Sequence, residues 1–353
     1  MKNVERIHFL DNIRWSTVIL VMLYHVFYMF NAEGIPGGVG CFASVQPQDA
    51  LLTFVYPWFM VLLFVISGIC SALELKQNPV GYLKKRSAKL LPPCTLGLLV
   101  WQWMVGYYNI KIGGALSFIP AFLVYPLSVL SGIGPLWFIQ MLWLFDLLVW
   151  LLQKWDGCHR FQEGCRHLNL AIIVSLFLGL WGCSWIGNLP IFTMYRFGIY
   201  LFSFLSGYFV FSSETNRQAV IQRASFFLFF AVITGIIFTA LNFDKNYTEQ
   251  HILGSFLCNI YAWLAVLAVM GVFGRWFNKT NLFAEWMTRN SWGLYILHYS
   301  CVLIPCYYLK EIFQLPELVC YLLALILVFT LTPILNWMIE RIPGIRYAVL
   351  GRR

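Results

Sequence analysis

Four ionisable residues sit in or at the mouth of stretches otherwise apolar enough to lie in hydrocarbon. Arg14 and His25 fall in LDNIRWSTVILVMLYHV (10–26), Asp146 in LWLFDLLVW (142–150) and His298 in SWGLYILHYS (291–300). Arg14 and His25 are eleven residues apart. That is almost three full helical turns, so both side chains leave one face, about 16 Å apart along the axis. Ionisable groups inside a bilayer are costly and are read as functional by default. A histidine takes a proton from a hydroxyl near neutral pH, and a cationic mouth suits an anionic, phosphate-bearing molecule. Together they fit group transfer through a membrane, with an activated donor on one side, an acceptor on the other and the base between. A proton-coupled transporter would use the same inventory. Plainer roles exist for each: a histidine can tie helices together, and an arginine at that depth can anchor the positive side. An acid in hydrocarbon, as at Asp146, needs a partner or a proton.

The elements that must position these groups follow from composition. Of 353 residues, 60% are hydrophobic and 11% charged, against about 25% charged in soluble proteins. This predicts an all-α polytopic membrane protein, with 1–353 as a single membrane domain. A span needs about 20 apolar residues. Spans are expected near 13–30, 51–73, 89–107, 135–153, 169–187, 194–212, 224–241, 252–274, 291–309 and 318–339. The stretch 115–131 is broken by Pro120 and Pro126 and reads as re-entrant or interfacial. No cleavable signal peptide is expected: the first apolar run follows Lys2 and Arg6 without a small-residue cleavage site.

Cytoplasmic loops collect Lys and Arg. With ten spans and both termini cytoplasmic, 19 of the 24 basic residues fall inside and three outside, leaving Arg14 and Arg196 at span ends. The net charge of +9 is thus a topology signal, and no nucleic-acid partner is expected. Arg196 reads as an outer-interface residue, and Glu285 with Arg289 as a surface ion pair at i,i+4 spacing. The ten cysteines show no Cys-x-x-Cys spacing and read as apolar filler. No metal site is expected.

The sequence resembles the integral-membrane acyltransferase 3 family, including members that modify periplasmic glucans. The likeness runs through LDNIRW with its Arg14-to-His25 spacing, LLFVISGI (62–69), YLKKRSAKLLPP (82–93), GPLWFIQML (134–142), FSFLSGYFVF (202–211), NSWGLYILH (290–298) and IERIPGIRYAVLG (339–351). The resemblance implies transfer of an acyl group, acetyl or succinyl, from cytosolic acyl-CoA to a hydroxyl of a carbohydrate or other envelope acceptor. The setting would be a multi-pass protein of the inner, cytoplasmic membrane with no tightly bound cofactor. Arg14 and His25 carry over from the family's first helix, and His298 from its late histidine; the resemblance assigns no role to Asp146. His25 is expected as general base. Arg14 with Lys84, Lys85, Arg86 and Lys89 is expected to hold donor phosphates, and Trp137 and Arg196 to contact substrate. Asp146 or His298 is expected beside His25, with Asp146 as the anion that steadies its cation or else as a partner of Arg14. The competing reading is a transporter or flippase for a lipid-linked sugar or small anion. The sequence leaves the acyl group, the acceptor and the oligomeric state open.

Overall fold

The computed structural model describes residues 7–187 and 196–352. Lys2, Arg6 and Arg353 of the expected basic segments, and the first two residues of 194–212, lie outside the described residues. The first half holds α1 (His8–Met29), α2 (Ala50–Gln77), α3 (Tyr82–Cys94), α4 (Trp103–Ile112), α5 (Ala121–Ser131), α6 (Leu136–Leu152), α7 (Asp156–Gly164) and α8 (Leu170–Cys183). The second holds α9 (Phe197–Ser206), α10 (Glu214–Gln222), α11 (Ala224–Asn242), α12 (Gln250–Leu253), α13 (Phe256–Trp276), α14 (Leu282–Tyr307), α15 (Glu317–Glu340) and α16 (Pro343–Leu350). No β-strand occurs among the described residues, and the chain is all-α.

Among the described residues, four helical segments are long and apolar enough to cross a membrane: Pro47–Gln77, Ala224–Asn242, Phe256–Trp276 and Glu317–Glu340. The pair α5 and α6, bent by 56°, makes a fifth if taken as one broken span. Burial separates the four into two kinds. The segments through α2 and α13 are 67% buried, whereas α11 and α15 are 28% buried. Helices apolar all round but uncovered by protein present that surface to lipid, so α11 and α15 are peripheral and α2 and α13 central. α1 and α14, 22 and 26 residues long, have spanning length but carry the ionisable residues of the site.

Two expected segments take less regular forms. The stretch 89–107 is a broken helix. Pro92 and Pro93 remove two amide donors, α3 ends at Cys94, and a π-helical turn over Leu98–Gln102 leads into α4. The stretch 115–131 is a 3-10 turn, Ala115–Phe118, followed by α5, which folds back along α4. A Cβ on Gly106 or Gly132 would strike the backbone of Ser128 or Gln102, so this hairpin closes only with glycine there. A second close approach joins α2 to α9 and the π-helical turn Gly207–Phe211 that continues it: a Cβ on Gly68 would meet the carbonyl of Phe204, and one on Gly207 the carbonyl of Val65. Small residues that let backbones touch are the usual glue between membrane helices.

Candidate active site

α1 and α14 pack side by side and bring the two histidines together. His298 Nε2 lies 3.2 Å from His25 Nδ1. Backbone carbonyls fix the tautomers, because a carbonyl oxygen only accepts. His25 Nδ1 is 2.8 Å from the Val21 carbonyl, so it carries the hydrogen. His298 Nδ1 is 2.6 Å from the Tyr295 carbonyl and donates to it, leaving its Nε2 as an acceptor toward His25. One N–H of His25 is thus shared between a carbonyl and a second imidazole. His25 Nε2 keeps its lone pair free among the described residues. His298 is fully buried, while the ring of His25 lines a cavity of about 110 Å³ walled by tyrosines and other aromatics. Tyr299 stands edge-on to the His25 ring at 5.0 Å, and Tyr24 at 5.4 Å. We call this the aromatic chamber.

A second cavity, of about 280 Å³, lies at the other end of α1. Arg14, Arg86, Lys89 and Arg352 line it with the single carboxylate Glu74, so cations outnumber acids four to one. Arg14 is paired with Asp11 at 3.1 Å and donates to Cys70 Sγ at 3.0 Å. Lys89 sits over the Trp292 ring at 4.8 Å. Arg352 is held by Glu340 and by the Arg289 carbonyl at 2.7 Å. This is the basic chamber. Arg14 and Val18 line it, whereas Val21 and His25 line the aromatic chamber. The eleven-residue spacing therefore lets one face of α1 serve both.

Asp146 is not beside His25, and it is not paired with Arg14. Fully buried on α6, it accepts from Arg86 Nε at 2.5 Å, Tyr82 OH at 2.6 Å and Ser71 Oγ at 2.7 Å. Both places foreseen for it are corrected by the same fact: the guanidinium of Arg86 reaches it first, from the basic stretch on α3. Arg86 also lies 4.0 Å from Glu74. The acid thus orients a cation of the basic chamber and stands apart from the histidines.

Other expected contacts divide in the same way. Lys84 is exposed, and Lys85 is a largely exposed partner of Glu74 at 2.6 Å; neither lines the basic chamber. Both lie on the outward side of α3, where only every third or fourth residue faces inward. Trp137 lines the aromatic chamber, with its ring 5.3 Å from Tyr200. Arg196 is buried rather than interfacial, and donates to the Leu253 carbonyl at 3.4 Å. Its charge acts on Tyr56 and Tyr200, which line that chamber, although Arg196 itself does not. The pattern of residues gave no role to Arg352, Trp292 or Tyr295. The first reads as a loop charge, and aromatic residues in spans are too common to single out.

A family model described as an acyltransferase domain matches residues 7–344. No curated protein and no solved structure matches the chain. The matched range contains every residue lining either chamber except Arg352. With its apolar helices and a match over nearly its whole length, the chain belongs to the acyltransferase 3 family of membrane acyltransferases.

Proposed function

We propose that the protein is a multi-pass O-acyltransferase of the cytoplasmic membrane, with ten spans and both termini cytoplasmic. Acyl-CoA enters the basic chamber from the cytosol, and a hydroxyl of a carbohydrate or other envelope acceptor enters the aromatic chamber from outside. The observation that supports this reading is that one face of α1 lines both chambers, with Arg14 on the basic one and His25 on the aromatic one.

His25 Nε2 removes the proton as the acceptor hydroxyl oxygen attacks the thioester carbonyl. The C–O bond forms, the C–S bond breaks, and the proton passes from the imidazolium to the departing thiolate. While His25 is a cation, its Nδ1–H stays shared between the Val21 carbonyl and His298 Nε2, which spreads the charge without a carboxylate. His298 is a positioning residue in this scheme. Arg14, Arg86, Lys89 and Arg352 supply the phosphate-facing charge. The aromatic walls offer stacking faces for a sugar ring.

Purified protein with acetyl-CoA or succinyl-CoA and a maltodextrin acceptor should release free thiol and yield an acylated glycan by mass spectrometry. His25→Ala should lower that turnover by about 10²–10⁴-fold while inserting normally. Acceptor moved across vesicles without thioester cleavage, and undiminished in His25→Ala, would instead establish a flippase.

A further inference from the structure

Of all the residues lining the two chambers, Tyr295 is common to both. Its side chain is buried, and its hydroxyl donates to the Pro135 carbonyl at 2.9 Å. The phenol is therefore a bar thrown from α14 across to the start of α6. Phe138 braces it edge-on at 5.5 Å. The same residue's backbone carbonyl takes the Nδ1–H of His298, so the bar and the group that orients His25 hang on one turn of helix.

We propose that Tyr295 is the partition between the donor and acceptor chambers, and that it sets the largest acyl group that can reach His25. The inference rests on the acyl-transfer reading above. With donor phosphates held among Arg14, Arg86 and Arg352, the thioester must pass Tyr295 to meet the hydroxyl activated by His25. Reaction needs the two reacting atoms about 3–3.5 Å apart. The aromatic chamber, at about 110 Å³, is less than half the size of the basic chamber, at about 280 Å³. A short acyl group beside an acceptor hydroxyl fits that space; a long chain does not. Only one neutral hydrogen bond ties the bar to Pro135, and such bonds exchange readily. Closed between turnovers, the bar also keeps water of the aromatic chamber from the thioester.

Two measurements on the full-length protein test this. In liposomes loaded with a pH-sensitive dye, the native protein and Tyr295→Phe, which keeps the ring, should hold a proton gradient. Tyr295→Ala should dissipate it at least tenfold faster. In detergent, thiol release from acetyl-, butyryl-, hexanoyl- and octanoyl-CoA should fall with chain length for the native protein and Tyr295→Phe. Tyr295→Ala should raise the octanoyl-to-acetyl ratio of kcat/KM at least tenfold and increase acceptor-independent hydrolysis. Tyr295→Leu, which keeps bulk for folding but cannot reach Pro135, should move both readouts in the same direction. A tight Tyr295→Ala or Tyr295→Leu with native chain-length preference overturns the partition, as does a native protein that leaks as fast as the variants. Native protein that cleaves no acyl-CoA refutes the acyl-transfer reading instead, and the proton-leak arm still decides the partition.

Discussion

Asp146→Asn separates a structural acid from a catalytic one. The carboxylate takes three donors, from Arg86, Tyr82 and Ser71, and is fully buried, while the Arg86 side chain is only 13% exposed. An amide of the same shape offers one acceptor oxygen and turns an NH2 toward donors. It also leaves the guanidinium without its counter-charge where little water can replace it. Removing one partner of a buried ion pair costs about 3–5 kcal/mol, so the variant should unfold at markedly lower temperature. A disoriented Arg86 should also cost the donor one charge-assisted hydrogen bond, worth about 1.5–3 kcal/mol, or about 10–100-fold in affinity. The assays are thermal denaturation in detergent, calorimetry with CoA, and kcat against pH. The pH profile should fall in height without shifting, because the acid does not touch either histidine. Asp146→Leu combined with Arg86→Leu should recover part of the stability, since apolar pairs replace buried ion pairs at little cost although Tyr82 and Ser71 lose their acceptor, while donor affinity stays low. A pH profile displaced in Asp146→Asn, with CoA affinity intact, would refute this reasoning and return the residue to the chemistry.

His298→Ala should reduce kcat by about 10–100-fold, less than His25→Ala, because Val21 still holds the His25 Nδ1–H; unchanged kcat would show that the second ring positions nothing. Arg352→Ala should weaken CoA binding and flatten its salt dependence, whereas Lys84→Ala should do neither; equal effects would mean that a diffuse surface charge, not the basic chamber, receives the donor. In the segment between α1 and α2, burial of Glu33 pushes its carboxyl up to about 8, against a lowering hydrogen bond from Thr53 and with help from Asp49 and Asp244. The folded state thus keeps a proton that the unfolded chain gives up near 4.5, so this stabilisation is present at low pH and lost as pH rises toward 8. Glu33→Gln should flatten the decline of Tm between pH 5 and 9; a decline as steep as native assigns it to other groups.

The histidines were visible in the sequence because an imidazole in hydrocarbon stands out against leucine and phenylalanine. Their mutual contact was foreseen only as one of two options, since span order does not say which helices touch. Asp146 was equally visible and was given the wrong neighbours. Its partner Arg86 lies outside the apolar run, in a stretch whose charges are explained well enough by topology, on a helix that packs against α6. Gly68 and Gly207 belong to segments that resembled family motifs; their role as the paired contact of α2 with α9 and the turn that continues it needs three dimensions. Pro92 and Pro93 warned that 89–107 would not be a straight helix, yet hydropathy alone drew it as one span. Tyr295 was illegible for a different reason. Nothing distinguishes one tyrosine among 18 until two cavities are seen to end on it.

Because carbonyls rather than a carboxylate hold the two imidazoles, the resting pair is electrically neutral. In the proposed reaction the proton leaves the acceptor on the outside and ends on the thiol inside, while the acyl carbon travels the other way. For an uncharged acyl group such as acetyl the two movements cancel and no net charge crosses the bilayer in a turnover, whereas a succinyl group would carry its carboxylate charge across. A charge carried across would feel about 2.3 kcal/mol per 100 mV, enough to bias the rate many-fold. Acetyl transfer should therefore be indifferent to membrane voltage, running equally fast at either polarity in vesicles clamped by a potassium gradient and an ionophore, while succinyl transfer should depend on polarity. An acetyl-transferring enzyme would decorate its acceptor as readily in a de-energised cell as in a respiring one, limited only by the supply of thioester.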